Sequence, residues 1–453
     1  MKRRNSSAAR NRALKFAAPL ALTALGLGVS PAHAVPAFAV QTGQPCQACH
    51  VGGFGPQLTP FGREFKLRGY TQRSNTFNAP ISAMAVASFV RTEKDQAPTP
   101  GFKANDNLAL DQISLFFAGG LGQHLGAFVQ TTYDGIAKAW HWDNLDVRAT
   151  TTGDFKGQSY VLGASLNNSP GVQDAWNTMP AWGYPYTGSA LAPAPSSSPL
   201  MNASLAQTTL GSTAYVWVNS EYYVEGGAYG SPGATSLTRL GVDPTSPGSI
   251  RGLAPYGRVA IQKTLGGGTF QAGAFGMRTE IYPGLDHTTG FTDRYTDLGL
   301  DASFQKTLAS TDVITVNGRY LHEQQSLDAS CALAAAGPGC ASNSLQDLRA
   351  DASYYWRDKI GATVGLFDIS GSTNPVIYAG NRTFKPDSTG VMFQIDGTPW
   401  GGGASPLGPR FNMRVGVQYT LYTRFNGAAS NYDGAGANAS DNNTVRVFTW
   451  IAY

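Results

Sequence analysis

The sequence predicts an all-β chain: a sixteen-stranded antiparallel transmembrane β-barrel with a small N-terminal segment docked in or on it. Three observations carry this prediction. From about residue 80 to the end, apolar and polar residues alternate with period two in short runs, the repeat of a strand rather than a helix. The connections between these runs alternate between short and long. After residue 34 no apolar stretch approaches the ~20 residues of a membrane helix, so entry into lipid requires a closed barrel, in which every backbone polar group is paired.

The clearest run is FNMRVGVQYTLY, with Phe411, Met413, Val415, Val417, Tyr419 and Leu421 on one face and Asn412, Arg414, Gln418 and Thr420 on the other. In YTDLGLDASFQ, Asp297, Asp301, Ser303 and Gln305 oppose Leu298, Leu300, Ala302 and Phe304. QDLRADASYYW sets Asp347, Arg349, Asp351 and Ser353 against Leu348, Ala350, Ala352 and Tyr354, and DNLDVRA sets Asp146 and Arg148 against Leu145 and Val147. Carboxylates and guanidinium groups on one strand face suit a polar lumen. Such runs place strands near 81–92, 107–118, 124–134, 143–152, 157–167, 211–218, 220–229, 255–265, 268–279, 295–307, 312–324, 346–357, 360–371, 388–397, 410–424 and 443–453.

The turns GGLGQ, TTGDF, LGGG, LAST and RDK are short, and the connections between them are long and rich in Gly, Pro, Ser and Asn. That is the outer-membrane layout, with turns on the periplasmic side and loops outside. GTPWGGGASPLGP is the exception, too long for its side. The last strand, TVRVFTWIAY, ends on an aromatic residue, like the C-terminal insertion signal of bacterial outer-membrane proteins.

Residues 1–34 read as a secretory signal, with six basic residues, an apolar stretch from Phe16 to about Val29 and PAHA ending at Ala34. A second small-x-small set at Ala37-Phe38-Ala39 leaves cleavage after Ala39 open. Taking six basic residues from 33 leaves 27 against 29 acidic ones, a charge near −2, so the basic precursor gives no argument for nucleic acid. The sequence therefore divides into a signal (1–34), an N-terminal segment (35–78) and a barrel (79–453). Cys331 and Cys340 read as a loop disulfide, which persists in an exported chain.

The N-terminal segment carries TGQPCQACHVGG, in which Cys46, Cys49 and His50 form C-x-x-C-H. This spacing reads as covalent haem c attachment: two thioethers and an axial imidazole on one side of a macrocycle. A thioredoxin-like site would want a βαβ pattern, and zinc would want two more ligands nearby. Thr59 and Pro60 read as the start of a helix that Gly69 ends, with Phe61 and Phe65 on one face and expected, with Leu58, to pack on the haem. A segment of this size is too small to enclose a haem alone and must use the barrel. His33 leaves with the signal, His141 and His287 fall at outer loops, and His322 faces lipid; Met84 and His124 are the remaining candidates for the sixth iron ligand, against the alternatives that they are an ordinary wall and turn residue and that the ligand is absent.

PAFAVQTGQPCQACH, LTPFGREFKLRGYT, GAFVQTTYD, RFNMRVGVQYTLYTRFNG and the aromatic C-terminus together resemble the fused monohaem cytochrome–porin family of outer-membrane iron oxidases. The resemblance spans nearly the whole mature chain, and its specificity lies mostly in residues 36–71. It implies oxidation of extracellular Fe(II), with the electron passed inward to a periplasmic c-type cytochrome, in a barrel embedded in outer-membrane lipid. The iron-oxidising members carry an aromatic residue directly after the haem histidine, whereas here Val51 and two glycines follow. Lumen carboxylates Asp146, Asp297, Asp301, Asp347 and Asp351 are candidates for attracting a hard cation, or are ordinary lumen lining. The competing reading is a diffusion channel whose haem-bearing segment is a plug or redox gate.

Overall fold

The computed structural model describes residues 36–74, 80–202, 204–336, 340–402, 405–407 and 410–453. The expected signal peptide lies outside the described residues. Seventeen strands occur among those described. They are β1 (Ile81–Thr92), β2 (Asn107–Gly120), β3 (Leu125–Asp134), β4 (Ala139–Phe155), β5 (Gln158–Asn167), β6 (Leu210–Val218), β7 (Tyr222–Gly230), β8 (Gly248–Ile250) and β9 (Ala254–Leu265). The series continues with β10 (Gly268–Pro283), β11 (Asp293–Thr307), β12 (Val313–Leu327), β13 (Ser342–Trp356), β14 (Ile360–Gly371), β15 (Ser388–Gly397), β16 (Asn412–Arg424) and β17 (Thr444–Ala452).

Each long strand pairs antiparallel with its sequence neighbour, and β17 closes on β1 with Met84 opposite Ala452. β8 has three residues and pairs only with the far end of β10, beyond the end of β9. The wall is thus a closed sixteen-stranded cylinder with one short addition at its loop end, and closure removes the free sheet edges that lipid would not tolerate. The sixteen expected runs fall on the sixteen wall strands. β4 is longer than expected at both ends, because AWHW continues the ladder against β3 and GDF continues it against β5. β8 has no signal in the sequence, being three residues long inside a loop.

Side-chain alternation sets inside against outside. Leu298 and Leu300 are each 61% exposed, while Asp297 between the same neighbours is 0% exposed. Exposed Leu348, Leu366, Phe393, Ile395, Val415, Val417 and Val447 continue this apolar exterior. Exposed Phe155, Tyr222, Tyr354, Trp356 and Tyr453 cluster at the turn end of their strands, as an interfacial aromatic girdle does. No helix among the described residues is long and apolar enough to cross a membrane. The protein is therefore a barrel of the bacterial outer-membrane kind, crossing with strands. Cys331 and Cys340 are bonded, with their Cα atoms 5.9 Å apart, in the loop that joins β12 to β13.

Two segments fill the lumen. Residues 36–74 enter from the turn end, and residues 168–209, between β5 and β6, fold back from the loop end. Val172, Ala175 and Met179 in the latter are fully buried, where a Gly-, Pro- and Ser-rich sequence suggests a solvent-exposed loop.

Candidate functional site

The N-terminal segment folds as three short helices: α1 (Pro36–Thr42), α2 (Cys46–Cys49) and α3 (Pro60–Leu67). Proline at N1 of α3 has no amide hydrogen to lose there, and the Thr59 hydroxyl accepts the Gly62 amide at 3.2 Å, so the helix starts as the sequence predicts. It ends in a Schellman motif: the Tyr70 amide donates to Phe65 O and the Gly69 amide to Lys66 O, both at 3.0 Å, with Gly69 at φ +72°. The barrel wall also donates to the carbonyls of this end. Arg148 Nη1 donates to Lys66 O at 3.3 Å, the Tyr215 hydroxyl to Leu67 O at 2.6 Å and the Thr150 hydroxyl to Arg68 O at 3.0 Å.

The residues after His50 are clamped just as closely. The Val51 amide donates to Gln57 O at 3.0 Å and the Thr59 amide to Cys49 O at 2.9 Å, closing the motif into a small loop. From the wall, Asp358 accepts the Gly52 amide at 2.6 Å and Asn412 donates to Gly53 O at 2.8 Å. From the inward loop, Asn177 accepts the Leu58 amide at 2.8 Å and donates to Pro56 O at 3.1 Å. A Cβ on Gly52 would lie 2.4 Å from the Tyr355 ring, and one on Gly53 would lie 2.6 Å from the Gly401 Cα. Glycine is required at both positions by close approach and by positive φ. Tyr355, on the wall, also packs on Val51, so an aromatic ring does lie beside the motif, contributed from far along the chain. The over-long connection 398–411 has a use here too: Gly401 receives Gly53 and accepts the Gln47 amide at 3.3 Å.

Cys46, Cys49 and His50 line one cavity of about 320 Å³, together with Leu58, Phe65 and Met84. Its walls are mostly apolar rings: Phe38 from α1, Phe54 after the motif, Phe116, Phe128 and Trp450 from strands, and Trp182 and Tyr186 from the inward loop. Phe38 stacks on Tyr70 with centroids 5.2 Å apart and meets Phe65 edge-on at 5.0 Å. Phe61 is half-buried and does not line the cavity, because the lining arc of α3 runs from Phe65 through Gly62 to Lys66 and Phe61 lies just beyond its Phe65 edge.

Of the two sixth-ligand candidates, Met84 is at the cavity and accepts the Trp450 indole hydrogen on its sulfur at 3.1 Å. His124 is not: it is exposed at the β2–β3 turn with Nδ1 3.0 Å from Thr150 O.

The donor set fits a covalently held iron porphyrin. Both cysteines are free and buried, and burial pushes each thiol up to about 12. His50 is half-buried, with its Nδ1 atom enclosed and without a hydrogen bond, and burial, aided by the nearby Arg414 charge, pushes it down to about 4, leaving neutral imidazole, the form that binds iron. Two thiols three residues apart with an imidazole directly after them are the set that thioether attachment needs. Among the described residues no group of three His, Cys, Asp or Glu forms a metal site.

The lumen carboxylates face inward as predicted, and three of the five are already paired with a guanidinium. Asp146 pairs with Arg148 at 2.9 Å and accepts the Tyr70 hydroxyl at 2.6 Å. Asp301 pairs with Arg258 at 2.8 Å, Asp347 with Arg319 at 3.0 Å and Arg349 at 3.1 Å, and Asp351 accepts Asn317 at 2.9 Å. Asp297 has no hydrogen-bond partner for its side chain but is fully buried opposite Glu323. The chemistry of Asp146, Asp301 and Asp347 is internal: they fix the wall and the segments inside it. The inward loop, with Trp182, Tyr186 and Asn177 at the cavity, is the part that periodicity missed. The only signal for it is four aromatic residues, Trp176, Trp182, Tyr184 and Tyr186, within a stretch otherwise composed like a solvent loop.

No family model matches the chain, and no curated protein does. Solved structures similar to it are outer-membrane barrels. OmpT of Vibrio cholerae matches at 9% identity over 84% of this chain and 98% of that one, with a TM-score of 0.42. OmpF of Salmonella typhi matches at 12% identity over 83% and 99%, TM-score 0.45, and the outer membrane channel DcaP of Acinetobacter baumannii at 10% over 82% and 96%, TM-score 0.46. Likeness at this level transfers nothing about function.

Proposed function

We propose that this protein is an outer-membrane cytochrome–porin, a barrel that carries electrons across the outer membrane through one covalently bound haem c. Extracellular Fe(II) is the electron donor and a periplasmic c-type cytochrome the acceptor. The observation that carries the reading is that Cys46, Cys49 and His50, on α2 and its C-cap, and Met84, on β1, line one ring-walled cavity inside the barrel. When bound, the haem supplies reversible one-electron chemistry at iron. The chain's own residues do the rest. Cys46 and Cys49 tether the macrocycle, His50 presents a neutral nitrogen, and Phe38, Phe65, Phe116 and Trp450 exclude water. Met84 provides a sulfur on a rigid strand, which would raise the potential if it ligates.

Both lumen-filling segments favour an electron path over a solute path. The gated-channel reading needs one of them to leave.

The test uses the purified full-length protein. A pyridine haemochrome spectrum should report one haem c, and Fe(II) added to the oxidised protein should give its reduced bands within seconds. A colourless preparation overturns the haem reading. A coloured protein that Fe(II) leaves oxidised, and that conducts small ions in a planar bilayer, overturns the electron-path reading in favour of the gated channel.

A further inference from the structure

Lys66 is the one cationic side chain on the cavity wall among the described residues. It sits on the last turn of α3, 6% exposed, with its backbone fixed by the Schellman motif and by Arg148. Its ammonium donates to Val172 O at 2.7 Å and lies 4.8 Å from the centre of the Trp182 ring. Val172 O also accepts the Trp182 indole hydrogen at 2.7 Å. No carboxylate among the described residues comes within ion-pair distance of the amine. Asp174 and Asp143 also line the cavity, but Asp174 is committed to Arg258 at 3.4 Å and to the Trp176 amide at 3.1 Å, and Asp143 to the Thr132 hydroxyl at 2.7 Å. An ammonium has three donors, and a carbonyl and a ring leave it without a directly paired counter-charge. Burying such a charge is costly unless an anion arrives, and burial, only partly offset by the more distant Asp146, Asp174 and Glu225, pushes Lys66 down to about 7.

The position indicates which anion. A Cβ on Gly62 would lie 2.3 Å from Cys49 O, so the first turn of α3 presses on the C-x-x-C-H loop. Lys66 is four residues further along the same face, about 6 Å by the helical rise, and its stem reaches further still. A porphyrin tethered at its vinyl edge by Cys46 and Cys49 presents its two carboxylates at the opposite edge.

Resting on the haem reading above, we propose that Lys66 binds a haem propionate. It is a positioning residue that supplies the counter-charge on the far edge of the macrocycle and holds the reduction potential up. A positive charge beside haem favours the ferrous state, so its removal favours the ferric one.

The experiment is redox titration and resonance Raman spectroscopy of the purified holoprotein, wild type against Lys66→Met and Lys66→Arg. Lys66→Met should lower the ferrous-to-ferric ratio at fixed ambient potential by about tenfold, a fall of about 59 mV for one electron, and should shift the propionate bending band. Lys66→Arg keeps the charge and moves the donors. It should shift the band and leave the ratio within about threefold of wild type. An unmoved propionate band in the arginine variant overturns the proposal even if the methionine variant fails to mature. An unchanged potential in a mature methionine variant overturns it as well. Absence of covalent haem from wild-type protein is a different failure, that of the haem reading itself.

Discussion

The two segments inside the barrel fill it by opposite means. Residues 36–74 are held through their backbone: amides and carbonyls of Gly52, Gly53, Leu58, Lys66, Leu67 and Arg68 each meet a side chain from the wall or the inward loop. Residues 168–209 are held mainly through a few buried charges. Arg258 reaches Asp301 on the wall and Asp174 on the loop, and the Asp174 carboxylate in turn gathers the amides of Trp176, Thr178 and Met179. Several separate hydrogen bonds, each worth about 1 kcal/mol net, degrade gradually. A buried charge network fails at once, because removing one member strands the others. One segment is therefore built to keep a fixed geometry around the motif, and the other to be either in place or released.

That difference is broken most severely at Arg258. Arg258→Met leaves Asp301 and Asp174 buried without their cation, at a cost of about 3–5 kcal/mol, and it also removes the guanidinium that lies 5.3 Å from the Trp176 ring centre. The expected outcome is release of residues 168–209 from the lumen, read as a stepped rise in ion conductance in planar bilayers and as new proteolysis between residues 168 and 209. Covalent haem should remain, since neither Cys46 nor Cys49 depends on that pair. Conductance equal to wild type would show that apolar packing of Met179, Leu200, Met201 and Leu205 on the wall holds the loop without the charges.

The next effect is smaller and falls on the other segment. Gly53→Val puts a branched side chain at φ +64°, 2.6 Å from a backbone atom of Gly401. Strain and overpacking of this kind cost about 1–3 kcal/mol each. The remaining contacts keep the segment in the lumen, so the expected result is a several-fold lower yield of haem-loaded protein with the barrel still heat-modifiable on gels. Normal loading would mean that residues 398–411 yield to the new side chain and do not clasp the motif.

Most of the wall was legible in the sequence, because a strand exposed to lipid on one face and to a polar lumen on the other keeps strict period two. Asp297 against Leu298 is enough to orient β11. The motif was legible because its chemistry is local: Cys46, Cys49 and His50 are neighbours in the chain, as are the Thr59 cap and the Gly69 stop. The inward loop was not legible. What folds it back is Arg258 with Asp301 and Asp174, and Asn202 with Asp347, partners on distant elements that no short window brings together. Parity placed Asp146, Asp301 and Asp347 inside without revealing that each already has a cation. Phe61 and His124 lie outside the cavity lining for a related reason, since sharing a helix face or lying near a turn fixes a direction only to within a turn of chain, and the cavity is narrower than that.

The smallest effect tests the redundancy of the backbone clamp directly. Asp358, in the turn between β13 and β14, accepts the Gly52 amide at 2.6 Å, and its carboxyl is pushed up to about 6, chiefly by burial. The folded state thus holds this proton more tightly than the unfolded chain, whose carboxyl titrates near 3.9. Its contribution to stability is fully present below that value and declines as pH rises through about 6. Asp358→Asn keeps an acceptor for Gly52 and removes the titration. Its unfolding midpoint should match wild type near pH 4 and exceed it modestly at pH 8, with the haem spectrum unchanged at both. Asp358→Ala should cost about 0.5–1.5 kcal/mol and also leave the spectrum unchanged, because Asn412 and Asn177 still hold the loop on either side. A spectral change in the alanine variant would mean that a single wall carboxyl sets the placement of the motif and that the clamp is not shared among many contacts.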